Sequence, residues 1–138
     1  MDFVTFDIAK KLKERGFKLA CIGHYEGDRF EYNTYDGYGI NISYIARSYN
    51  DDDRFVEYID VPVICQVLKW LREEHHIHFE IVGAAYGYNL IISDTPDKGG
   101  TDIYYSHAKY DGPNAGGTWD SFEDCVMYGI KYVLDNLI

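Results

Sequence analysis

Residues 62–84 constrain this chain more than any other stretch. Beyond Pro62, Ile64, Val67, Leu68 and Leu71 recur at spacings of three and four with Trp70 beside them, and the stripe runs out in Arg72-Glu73-Glu74. Such spacing lines one face of an α-helix. Pro62 falls where a first-turn proline is tolerated, because the N–H it lacks has no intrahelical partner there. A few residues later the period changes from 3.6 to 2. Ile77, Phe79 and Ile81 fall on one face and His78 and Glu80 on the other, which predicts a strand over Ile77 to Ala84. The chain must therefore pack at least one amphipathic helix together with a half-buried strand.

The flanking segments extend the pattern. Thr5 to Arg15 sets Ile8, Ala9 and Leu12 at helical spacing among lysines and stops at Gly16, in the position of a C-cap. Strands are expected over Phe17 to Tyr25 and Phe30 to Tyr35, joined through Glu26-Gly27-Asp28, then over Ile40 to Ala46 before the polar turn Asn50 to Asp53, and over Phe55 to Ile59. Further strands are expected over Tyr88 to Ser93 and Thr101 to His107, around the turn-rich Asp94 to Gly100. Ser121, with Asp124 three residues on, caps a last helix whose inner face is read as Phe122, Val126, Ile130, Val133 and Leu137. A chain of 138 residues hides roughly two-thirds of its unfolded surface, enough for one core. The expectation is a single α+β domain over residues 1–138, with two antiparallel meanders packed with three helices. Its core is read as Leu12, Phe17, Trp70, Leu71, Ile81, Phe122, Ile130 and Val133. Leu12 to Gly23 and Leu71 to Gly83 also hint at two α-β-β units in tandem.

Charge and cysteine content narrow the function. With 23 acidic against 13 basic residues the net charge is −10, which opposes direct binding to phosphate backbones, so no nucleic-acid partner is expected. No apolar run reaches bilayer length and the first residues carry Asp2 and Asp7, so no membrane association and a cytoplasmic location are expected. Cys21, Cys65 and Cys125 show neither metal-site spacing nor disulfide density and read as reduced core residues.

Two motifs invite a chemical reading. Glu73, Glu74, His75, His76, His78 and Glu80 concentrate potential metal ligands, yet neighbouring His75 and His76 point apart, and imidazoles at a helix C-terminus suit the dipole without a metal. The expectation is no metal and no cofactor. Gly112 to Thr118 precedes a helix as phosphate loops do, but Asp120, Glu123 and Asp124 stand where an anion would sit, and a flexible connecting loop is the simpler reading. No signature flanks a cysteine or a carboxylate pair, so no catalytic residue is assigned and an enzyme is not the leading expectation.

Tyrosine is the surplus: 14 of them, more than one core consumes. Tyr35, Tyr38, Tyr86, Tyr88, Tyr105 and Tyr110 fall in predicted hairpins and loops, where an amphipathic ring supplies contact area at low entropic cost. They are the candidate binding residues. The leading expectation is a non-enzymatic binding protein that engages a host protein or self-associates into a homo-oligomer. The alternatives are a protein that sequesters a small aromatic or nucleotide ligand in a Tyr-lined pocket, and an undetected hydrolase.

The opening Phe6-Asp7-Ile8-Ala9-Lys10-Lys11-Leu12-Lys13-Glu14-Arg15-Gly16-Phe17, the central Val67 to Ile81 with its Trp70-Leu71-Arg72-Glu73-Glu74, and the closing Ser121-Phe122-Glu123-Asp124 leading into Gly129 to Leu134 carry a resemblance. The chain resembles a group of short proteins from gut bacteria of the Bacteroides type and their phages. The resemblance covers about a third of the chain and implies a phage or mobile-element context. The group has no established activity, so no catalytic or binding residue is carried over.

Overall fold

The computed structural model describes residues 2–27, 29–32, 58–100 and 102–138. Tyr35, Tyr38, the strand expected over Ile40 to Ala46, the turn Asn50 to Asp53 and the first residues of the strand expected from Phe55 lie outside the described residues. The fold class is α+β, with antiparallel sheets as expected, and the chain divides into two compact units, Met1–Val63 and Ile64–Ile138.

In the first unit, helix α1 (Phe6–Glu14) buries Ile8, Ala9 and Leu12, the stripe read from the sequence. Gly16 follows with φ +90°, a left-handed conformation that glycine adopts without a Cβ penalty. Strands β1 (Gly23–Glu26), β2 (Arg29–Tyr32) and β3 (Tyr58–Val61) form an antiparallel sheet in the order β2-β1-β3. The first strand starts later than the expected Phe17, at Gly23, for a reason visible in the register. Gly23 pairs with Val61, so the preceding Ile22 would have to pair with Pro62, which has no N–H to give a ladder. Pro62 thus ends β3, and its carbonyl accepts from Val4 N–H at 3.1 Å; the next helix begins at Ile64.

One face of this sheet is aromatic. Phe30 lies 4.8 Å from Phe3 and 5.8 Å from Tyr25, while Tyr25 meets Phe6 edge-on at 5.2 Å. Gly23 belongs to the same face, and a Cβ there would lie 2.7 Å from the Phe30 ring. The opposite face carries the intervening residues: His24 and Glu26 on β1, Arg29 and Glu31 on β2, and Asp60 on β3.

In the second unit, α2 (Ile64–His75) buries Ile64, Val67, Trp70 and Leu71. A single residue, His76, joins it to β4 (Ile77–Ala84), so the change of period read from the sequence falls at one left-handed residue of φ +56°. Strands β4, β5 (Gly87–Asp94) and β6 (Ile103–Tyr105) form a meander, and α3 (Phe122–Asn136) packs on β4 and β5. The Ser121 hydroxyl caps α3, accepting from Asp124 N–H at 3.1 Å.

The expected core holds for Leu12, Phe17, Trp70, Leu71, Ile130 and Val133, all buried. Two residues differ. Phe122 is 41% exposed, since it opens α3 and rests only its edge on Tyr88, 6.4 Å away. Ile81 is half-buried, toward the end of β4 where Val82 to Ala85 are all exposed. Leu90 and Ile92 of β5 fill the interior instead, both fully buried. Cys65 is also exposed, one residue off the stripe, whereas Cys21 and Cys125 are buried as expected, and none of the three forms a disulfide.

Candidate functional site

The Gly-rich segment between β6 and α3 is a closed structure rather than a flexible connector. Gly112 N–H donates to Gly117 O and Asn114 N–H to Thr118 O, each at 3.0 Å, and the Thr118 hydroxyl donates to Ala115 O at 3.1 Å. Two glycines make this possible. Gly117 has φ +72°, with Tyr110 packed where its Cβ would stand; Gly87 has φ +147°, with the Trp119 carbonyl where its Cβ would stand. That close approach lets Tyr88 and Trp119 exchange two backbone hydrogen bonds, at 2.8 and 3.1 Å, which clamps the loop to β5. Asn114 Nδ2 reaches the Tyr86 carbonyl at 3.0 Å and so fixes the β4–β5 turn to the same loop.

This frame sorts the candidate tyrosines. Tyr86 and Tyr110 are 68% and 67% exposed, both on backbone that the loop pins. Tyr88 is half-buried against Phe122, and Tyr105 is buried. The six candidates therefore do not form one described surface: Tyr86 and Tyr110 are presented outward, Tyr88 and Tyr105 support the structure, and Tyr35 and Tyr38 lie outside the described residues.

Tyr105 belongs to a polar and aromatic network that the sequence reading did not single out. Its hydroxyl and that of Tyr128 both donate to Asp111 Oδ2, at 2.9 and 2.8 Å. Burial first, and then the Asp111 carboxylate, push both phenols above the ordinary tyrosine range. Lys109 Nζ donates to the Tyr132 hydroxyl at 3.0 Å and lies 4.9 and 5.4 Å from the ring centres of Tyr132 and Tyr105, a cation–π arrangement. Phenols held protonated and bonded to a shared carboxylate are poor bases and poor nucleophiles. The network stiffens the segment that carries Tyr110.

The histidine-rich junction disperses its donors. His75 packs edge-on to Trp70 at 4.5 Å, His76 Nδ1 stands 3.8 Å from Asp97 Oδ2, and His78 pairs with Ser93 across the ladder. Among the described residues, the group of three donors that does converge is His24, Glu26 and Glu31, whose ligand atoms all lie within 4.8 Å of one another. The signal for it was present in the sequence as a hairpin register, since residues seven apart across Gly27-Asp28 stand directly opposite.

The fold and this frame define an α+β protein presenting exposed tyrosines on backbone that a glycine-closed loop pins. No protein family, curated protein or solved structure matches the chain. Among the described residues, no helix is long and apolar enough to cross a membrane.

Proposed function

We propose that the chain is a non-enzymatic binding protein, an accessory protein of phage or mobile-element type, that engages a host protein through Tyr86, Tyr110 and the loop between them in space. The observation that carries this reading is the exposure of two large amphipathic rings on pinned backbone. Anchors of this kind bind at low cost because little backbone freedom is lost. Tyr105, which a stacking pocket would need open, is instead buried with its hydroxyl tied to Asp111, so the geometry favours a protein surface over a small aromatic ligand. The net charge of −10 favours a basic partner over a second copy of this chain.

The test is affinity capture from host lysate with the wild-type chain and with Tyr86→Ser/Tyr110→Ser, alongside light scattering for oligomeric state. A single basic partner retained by the wild type and lost by the variant, at unchanged melting temperature, is expected. A monomer that recovers nothing, or a partner held equally by the variant, refutes the reading; a homodimer disrupted by the variant replaces the host partner with self-association.

A further inference from the structure

We propose that the β1–β2 hairpin carries a site for a divalent transition-metal ion of the Zn2+ class, ligated by His24, Glu26 and Glu31. The site is independent of the binding surface proposed above and runs against the expectation of no metal, which rested on the His75/His76/His78 junction.

The placement follows from strand geometry. His24 and Glu26 are two residues apart on β1 and so project from the same face, and Glu31 on β2 stands directly opposite His24. Three donors, one imidazole and two carboxylates, thus converge within 4.8 Å, and His24 is buried. Ligands about 2.1 Å from a tetrahedral Zn2+ sit about 3.4 Å apart, a contraction that the glutamate side chains would have to supply by rotation. The donor set suits the ion. An imidazole disfavours Mg2+ and Ca2+, which take oxygen ligands, while two carboxylates balance the charge of a dication.

The charge around the site points the same way. Asp60 on β3 stands opposite His24 in the register and adds a third carboxylate to the face. A cationic group already occupies the mouth: Arg29 Nη2 lies 2.8 Å from Glu31 Oε1 and 3.6 Å from Glu26 Oε2, bridging the two carboxylates that a metal would bridge. The Arg29 side chain is 68% exposed, and exposed ion pairs contribute little, so the guanidinium is a displaceable competitor. Three protein ligands with the remaining position open match a metal that keeps a water or accepts an exogenous ligand.

The competitor makes the proposal sharply testable. The full-length chain, stripped with a chelator, is titrated with Zn2+ by calorimetry, with Mg2+ as control and metal content measured after dialysis. One equivalent of Zn2+ and no Mg2+ binding are expected. Glu31→Gln and His24→Gln should weaken binding at least tenfold. Arg29→Ala should tighten it severalfold, and the triple variant His75→Gln/His76→Gln/His78→Gln should leave it unchanged. Arg29→Ala and Glu31→Gln alter exposed or half-exposed side chains, so they report on the site even where His24→Gln fails to fold. Absence of Zn2+ binding, insensitivity to Glu31→Gln, no gain with Arg29→Ala, or loss in the triple variant overturns the proposal, the last placing the ion at the α2–β4 junction instead.

Discussion

Gly129 of α3 faces the Phe79 ring of β4 so closely that a Cβ on it would lie 2.6 Å from Phe79 Cε2 and 3.1 Å from Leu90 Cδ2. A helix interior ordinarily gains about 1 kcal/mol when glycine becomes alanine. Here the added methyl must displace a half-buried ring and a fully buried leucine, and overpacking of that kind costs about 1 to 3 kcal/mol. Gly129→Ala is expected to lower stability in a urea titration, and Phe79→Leu in the same background to recover part of the loss. A stabilised Gly129→Ala would show that α3 stands farther from the sheet.

His76 holds φ +56° at the junction of α2 and β4, where its carbonyl accepts from Thr95 N–H at 2.9 Å. The left-handed conformation costs a non-glycine residue about 1 kcal/mol. His76→Gly should therefore raise stability by about 1 kcal/mol, and His76→Val should lower it, since a β-branched residue fits that region worst. Thermal melts of the two variants check both signs.

Trp70 is buried on the inner face of α2 and packs edge-on to His75. Trp70→Ala should cost about 3 to 5 kcal/mol by denaturant titration. A loss below about 1 kcal/mol would mean that α2 faces the other way.

Burial pushes the Cys125 thiol up to about 12, and burial together with the Asp60 charge does the same for Cys21. A thiol whose value rises on folding is held protonated by the native state. Its contribution to stability is complete below the unfolded value of about 9 and is lost as pH rises from there through about 12. Melting temperature should fall with pH above about 9, less steeply in Cys125→Ala. At pH 8, mass spectrometry after brief alkylation should find the label on exposed Cys65 alone, with Cys21 and Cys125 labelled only in denaturant.

Tyr105 and Tyr128 share Asp111, and both phenols are raised. Absorbance titration should leave at least two tyrosines un-ionised above the ordinary tyrosine range. Asp111→Asn removes the charge and should bring at least one back toward the ordinary range. Tyr105→Phe, which removes one charge-assisted hydrogen bond, should cost about 1 to 2 kcal/mol.

Local pattern determined much of this protein. The stripe of α1, the helix over 64–75, the strand over 77–84 and the Ser121 cap were legible because each depends on residues within one or two turns of each other. Phe122 reads as core from the sequence yet is exposed, because periodicity reports which residues share a face and not where the neighbouring sheet ends. The start of β1 was equally opaque: Gly23 begins it because Pro62, 39 positions away, stops the ladder on the far strand. Nearness in sequence is likewise no measure of convergence. His75, His76 and His78 are near neighbours, yet a helix end and a left-handed residue between helix and strand separate their rings. His24 and Glu31, seven residues apart, are brought face to face by one turn at Gly27. Period and capping are properties of a short segment and can be read from it. The convergence of donors, the exposure of a ring and the closeness of Gly129 to Phe79 arise from register and packing between segments, and only the tertiary structure decides them.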